Sequence, residues 1–155
     1  MPEIMRILGE ARLAQRAMGF MQWGDGYPPE SAVVADIESG HGYLLKDDDD
    51  VSAGYVAISY SDREYDRLDH IWIEKGDYGV AHRIAIADSH RGKGVATRLF
   101  DLFEQEIAAT GRRIVRIDTG VENRPMQHIL DKRGYRSLGV HTFVWGERLA
   151  YEKNL

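Results

Sequence analysis

Between an apolar run and a long amphipathic stretch lies the segment SHRGKGVATRLF, Ser89 to Phe100. Two glycines, Gly92 and Gly94, stand one residue apart, with Arg91 and Lys93 interleaved and His90 just before them. Glycine lets a backbone approach a ligand with no Cβ in the way. The apolar spacing from Val95 onward reads as a helix. A helix N-terminus offers unbonded N–H groups and the positive end of its dipole to an anion. These residue types, at this spacing, describe a cradle for a phosphate or pyrophosphate. A surface turn that happens to hold two glycines is the plain alternative, and a lone G-x-G does not decide between them. The strand before it and the helix after it favour the cradle.

Two familiar phosphate loops fit poorly. A Walker A loop needs G-K-[ST] at its end, but here Lys93 precedes Gly94 and Val95 follows it. A Rossmann fingerprint needs a third glycine where Thr97 stands, directly after a strand. Asp88-Ser89-His90-Arg91 separates the strand from Gly92, although Asp118 is placed as that fold's ribose-binding acid would be. A Rossmann-type dinucleotide binder therefore stays as the lesser reading.

The elements that must position the loop follow from periodicity. Ile4, Ile7, Leu8, Ala11 and Met18 predict a helix over 3–19. Trp23 to Pro29, WGDGYPP, is a turn-rich loop, and 29–39 is a second helix ending at Gly40. Strands are expected at 43–46 and 51–60, with the acidic run Asp47–Asp50 as a solvated turn between them. Residues 61–79 read as polar and irregular, with a short strand near 71–73. VAHRIAIA, 80–87, is a strand. The next helix covers 94–110, with Val95, Leu99, Leu102, Phe103 and Ile107 as its buried stripe. A strand at 113–118, a helix at 123–133 and closing strands at 135–140 and 143–151 complete the chain. The order predicts an α+β fold, a mixed sheet with about four helices, in which 80–118 forms a right-handed crossover between parallel strands.

Composition narrows the classes. The 155 residues suit one domain, and 43% apolar content suits a globular one. A net charge of -5 disfavours a general nucleic-acid binder, so the cations around Arg91 are a local feature suited to a small anion. No cysteine is present, which removes thiolate catalysis and Cys-based metal sites and fits a reducing cytoplasm. Calcium-loop spacing is missing from the acidic run, and no metal is expected. No long apolar run predicts a membrane span, and the N-terminus lacks the apolar core of a signal peptide.

Arg91-Gly92-Lys93-Gly94-Val95-Ala96 resembles the R/Q-x-x-G-x-G/A motif of the GNAT superfamily of acetyl-CoA-dependent N-acetyltransferases. IAIADSHRGKGVATRLF is similar to that family's central strand, pyrophosphate loop and helix. Asn123 and Gly134-Tyr135 resemble its later N…G-F/Y segment, and WGDGYP resembles an N-terminal loop of some bacterial members. The resemblance covers roughly residues 80–140. It implies a single acetyltransferase domain over 1–155, with acetyl-CoA as co-substrate and an amine as acceptor. It implies that the strands at 81–87 and 113–118 splay, with pantetheine bonded to the backbone of Ile84, Ala85 and Ile86. The amides of Gly92 to Ala96 would hold the pyrophosphate, with Arg91 and Lys93 adding charge. Asn123 would bond the pantetheine or cap the following helix, two compatible roles. Trp23 and Tyr27, with Trp72, are candidates for the acceptor pocket, with core packing as the alternative. Homodimers occur in the family, and no sequence feature here sets the oligomeric state.

The chemistry implied is transfer to a neutral amine. A lysine-like amine has a pKa of about 10.4, so its proton must be taken. Many members use a Glu on the central strand as base. His82 falls near that position, on a face expected to include Val80, Ile84 and Ile86. A histidine has a suitable pKa, and a structural hydrogen bond is its alternative role. A strand bulge at 84–86 would supply a backbone donor for the carbonyl oxygen, as in family members. Two departures stand out. Where many members place a proton-donating Tyr, this chain has Leu130, so either water or a group such as Tyr135 serves the leaving thiolate, or catalysis is weak, or the chain is a non-catalytic acetyl-CoA or CoA sensor. Members usually open with a strand, whereas here a helix starts almost at Met1. Either that edge strand is absent or the natural chain starts further upstream.

Overall fold

Pro2 occupies the first turn of α1 (Pro2–Ala17), where its missing N–H costs nothing, and Ile4, Ile7 and Leu8 then fall on one buried face. The computed structural model describes residues 1–20, 22–24 and 26–155; Met21, and Asp25 of the predicted WGDGYPP loop, lie outside the described residues. After α1 come α2 (Glu30–Glu38), β1 (Gly42–Lys46), β2 (Ser52–Ser59), α3 (Arg63–Arg67) and β3 (Tyr78–Ile86). Then follow α4 (Val95–Ala109), β4 (Ile114–Gly120), α5 (Arg124–Lys132), β5 (Arg136–Phe143) and β6 (Gly146–Asn154). Single 3-10 turns sit at Asp69–Ile71 and Asp88–His90. The strands order as β1-β2-β3-β4-β6-β5. β3 and β4 pair in parallel over Tyr78–Val80 and Ile114–Arg116, while β1–β2, β4–β6 and β5–β6 are antiparallel. This mixed sheet is the expected α+β arrangement. It is not a doubly wound parallel sheet, and the Rossmann reading falls with that. Among the described residues no strand precedes α1, and the first strand is β1.

The chain divides into two compact units, residues 1–58 with 81–105 and residues 59–80 with 106–155. The core of the first gathers Ile4, Ile7 and Leu8 of α1 with Trp23, Val33, Tyr55, Ala57, Ala85 and Ala87. On α4 the buried stripe includes Val95, Leu99, Phe103 and Ile107 as expected, but Phe100 is fully buried and Leu102 only half-buried.

The second unit corrects the sequence reading of 61–79. The stretch is not irregular with a strand at 71–73. Asp62 Oδ1 accepts from the amides of Glu64 and Tyr65, capping α3, and the chain then makes the 3-10 turn. Tyr65, Leu68 and Trp72 enter the core with Tyr78, Val80, Ile114, Phe143 and Ala150. Tyr65 stacks on Trp72 at 5.1 Å and donates its hydroxyl to Asp118. Beside them Arg116 and Glu152 form a buried ion pair at 3.1 Å, and Glu152 Oε1 also accepts from the amides of Ile73 and Glu74.

Candidate active site

β3 delivers the site's first unusual feature. Arg83, in mid-strand, has φ of 55°, a left-handed backbone that a non-glycine residue adopts at a cost of about 1–3 kcal/mol. Such a residue inside a strand marks a bulge. Along the expected face, Val80 is buried and Ile86 is half-buried. His82 and Ile84 are half-buried, and Ala85 is buried in the core.

The kinked residue is anchored from a distance. Arg83 Nε donates to Asp36 Oδ2 at 2.9 Å, and Nη2 donates to Oδ1. Asp36, on α2, also accepts from the Tyr55 hydroxyl at 2.8 Å. Burial, and secondarily the Asp36 carboxylate, push the Tyr55 phenol above its ordinary pKa, so it stays a donor. Space for this bond exists because residue 42 is glycine: a Cβ there would lie 2.8 Å from the Tyr55 oxygen. The third arm of the guanidinium, Nη1, reaches the Tyr27 hydroxyl at 3.4 Å. Tyr27 is exposed and meets Trp23 edge-on at 5.9 Å. Trp23 itself is core, and so is Trp72, whose indole N–H donates to the Tyr65 carbonyl. Of the aromatic candidates, only Tyr27 presents its ring to solvent beside the bulge.

Beyond Ile86 the chain turns through Asp88–His90 into the glycine loop. This turn is held at three points. The Ala87 amide donates to the Ala53 carbonyl at 2.8 Å, and the Asp88 amide to Glu10 Oε2 at 2.8 Å. That amide bond holds the Glu10 carboxyl below its usual pKa. His90 is buried, its Nε2 2.8 Å from Asp47 Oδ2 and its Nδ1 2.7 Å from the Ser89 hydroxyl. Asp47, the first residue of the acidic run, is thus more than a solvated turn. Its other oxygen accepts from the amides of Asp49 and Val51, and its pKa is lowered chiefly by the His90 bond.

Gly92 and Gly94 have φ of 71° and 77°. Their role is therefore conformational as well as steric: a side chain at either would be strained, although nothing lies within 4 Å of an added Cβ. α4 begins immediately after, and the Arg98 amide makes its first turn closure on the Gly94 carbonyl at 3.2 Å. As at any helix start, the amides of the first turn of α4 have no carbonyl partner within the helix itself. Lys93 is exposed beside them, and Arg91 is pinned to Asp88 at 2.8 Å. The amides of a helix start, open space and two cations suit a pyrophosphate.

In the second unit Asn123 Oδ1 accepts from the Met126 amide at 3.2 Å, so the helix-capping role is realised on α5. Leu130 is fully buried, and Tyr135 is buried with the Lys153 ammonium 5.2 Å above its ring.

The family profile described as the acetyltransferase (GNAT) family matches residues 7–135. The chain belongs to the GNAT acetyltransferase family. It is an acyltransferase, and the family draws its acetyl group from acetyl-CoA. The structure is similar to a GNAT acetyltransferase of Streptococcus agalactiae 2603, with 32% identity, a TM-score of 0.85, and coverage of 99% of this chain and 89% of that one. A GNAT acetyltransferase of Listeria monocytogenes 4b F2365 shares the fold at 19% identity and a TM-score of 0.75, covering 99% and 88%. An N-acetyltransferase of Staphylococcus aureus Mu50 does so at 16% and 0.67, covering 99% and 93%. No curated protein matches the sequence. No helix among the described residues is long and apolar enough to cross a membrane, and none of their His, Asp and Glu side chains cluster in threes as a metal site would require.

Proposed function

We propose that this GNAT protein, acting as one domain over 1–155, moves an acetyl group directly from acetyl-CoA to a primary amine of a small molecule, peptide or protein. Both substrates are bound at once in this reading. The observation that carries it is the bulge at Arg83 leading straight into the glycine loop at the start of α4. Bound acetyl-CoA supplies an activated carbonyl and a thiolate leaving group. The amides from Gly92 to Ala96 hold the pyrophosphate with Arg91 and Lys93. The backbone of Ile84, Ala85 and Ile86 holds the pantetheine and donates to the carbonyl oxygen as charge builds there. Asn123 keeps its capping bond and fixes the start of α5. Tyr27, backed by Trp23, lines the acceptor side. His82 takes the ammonium proton of the acceptor, directly or through water, so that the amine lone pair can attack as the C–S bond breaks.

Release of CoA across a panel of amines tests the activity, and titration calorimetry with acetyl-CoA, CoA and NAD(H) tests the donor. Turnover with at least one amine is expected, with no NAD(H) binding. Binding of acetyl-CoA without turnover would instead favour a non-catalytic CoA sensor, the reading that Leu130 supports, since a buried leucine donates no proton. For the base, His82→Gln is expected to lower kcat/KM by about 100-fold, with the loss greatest at pH values where an imidazole is neutral while the amine is still protonated. Unchanged kcat/KM across pH would remove His82 from the mechanism.

A further inference from the structure

Glycine is the residue that reaches a left-handed backbone without strain, and the loop after β3 uses it twice, at Gly92 and Gly94. At position 83 the chain uses arginine and spends a buried, two-point ion pair on it. The side chains of Arg83 and Asp36 are 14% and 11% exposed, and the Tyr55 hydroxyl occupies the same carboxylate. A glycine would permit the kink. An arginine whose guanidinium is clamped at two points enforces it, because the planar fork fixes direction as well as distance. Non-glycine residues hold such backbone only where their surroundings over-determine it, and they cluster at sites that work by pre-organisation. The clamp also ties the bulge to α2 and, through Nη1, to the exposed Tyr27.

We propose that the Asp36–Arg83 pair is a positioning device for acyl transfer: it locks the peptide units on either side of residue 83, and with them the backbone along which the thioester carbonyl is received. This rests on the acyl-transfer reading above. Arg83 touches neither reactant in this account. It acts through the backbone it holds, so its loss should reach kcat and leave the pyrophosphate cradle intact.

The informative variant is Arg83→Gly, which keeps the left-handed backbone free of strain and deletes the clamp. Asp36→Asn/Arg83→Gly removes both charges and decides the case if Asp36→Asn alone, with a buried guanidinium left unneutralised, does not fold. The expected result in both glycine variants is a fall in kcat of about 10- to 100-fold, as small misplacements in a catalytic site produce. The Kd for acetyl-CoA by calorimetry should stay within about twofold of the starting protein, and Arg83→Lys, a single point charge, should not restore kcat. Amide exchange over 81–87 should quicken in the glycine variants, with α4 unchanged. Retention of kcat by a folded Arg83→Gly protein overturns the proposal, as does a loss carried wholly by acetyl-CoA affinity, or full rescue by lysine. These results leave acyl transfer standing, because the starting protein still releases CoA. A starting protein that releases no CoA with any amine overturns the acyl-transfer reading, and the positioning role with it.

Discussion

Gly54 on β2 offers a sharp test of the packing behind the site. A Cβ built there lies 2.9 Å from Leu99 Cδ1, 3.1 Å from the Ala85 carbonyl oxygen and 3.2 Å from Val95 Cγ1. Ordinary carbon contacts are about 3.5–4.0 Å, so all three neighbours must move. None moves cheaply. Leu99 is fully buried, Val95 is buried and β-branched, and the Ala85 oxygen is backbone just past the bulge. Overpacking of this kind costs about 1–3 kcal/mol, and the loss of glycine's unfolded-state entropy returns about 0.4–1 kcal/mol. Gly54→Ala is therefore expected to lose about 1–2 kcal/mol net. At this chain length that lowers Tm by about 2–8 °C. Gly9→Ala is the matched control: it lies inside α1, nothing stands within 4 Å of its added Cβ, and it should gain about 0.5–1 kcal/mol. Urea unfolding of both, with unchanged slope, reads the two signs directly. Because Val95 and Leu99 lie on the first turns of α4, acetyl-CoA affinity should also weaken in Gly54→Ala and hold in Gly9→Ala. Equal stability of the two variants would refute the reasoning, since the same atom would then cost the same in a crowded strand and an open helix.

Alkaline pH should destabilise the fold through its buried phenols. Burial first, then the hydrogen bond to Asp66, pushes Tyr78 up to about 12, and burial raises Tyr55 and Tyr65 as well. A raised folded pKa means stability that is complete below the unfolded value of about 10 and is lost as pH climbs from there through the folded value. Absorbance titration at about 295 nm should show fewer than the chain's eight tyrosines ionising near pH 10 while near-UV circular dichroism is native; all eight ionising at that pH in a native protein would contradict it. In the second unit, Glu152→Leu strands the buried Arg116 guanidinium and two amides, and should cost about 3–5 kcal/mol by chemical denaturation. Lys75→Ala, at an exposed pair, should change stability by less than about 0.5 kcal/mol; comparable losses would mean that the buried pair is not special.

The parts of this fold that were legible in the sequence are those encoded by near neighbours. The helices at 3–19, 29–39, 94–110 and 123–133 match α1, α2, α4 and α5 to within two residues, because their apolar faces repeat locally and glycine ends them. The cradle was legible for the same reason: its glycines, its cations and the helix after it are contiguous. α3 was readable but missed. Asp62 is a capping residue, and Tyr65, Leu68 and Trp72 recur at helical spacing, yet the charged residues between them masked the pattern. The β5–β6 boundary was displaced because the turn falls on Val144-Trp145, which are not turn formers, and only Gly146, with φ of 116°, marks it.

Arg83 belongs to another category. Its partner Asp36 is 47 residues away on a helix, its third contact lies in the loop between α1 and α2, and the room for the Tyr55 bond depends on Gly42. No local rule puts a left-handed arginine in a strand; local propensity opposes it. Where a sequence overrides its own local preference and supplies long-range contacts to hold the result, the conformation is what those contacts serve. The glycine loop, written locally, can hold a pyrophosphate wherever a helix follows it. Direction at the reacting carbonyl needs a fixed backbone, and a fixed backbone needs partners from elsewhere in the chain. On this argument the binding half of the site should tolerate transfer to other strands and helices, while the transfer half should fail in any context that lacks α2 and its carboxylate.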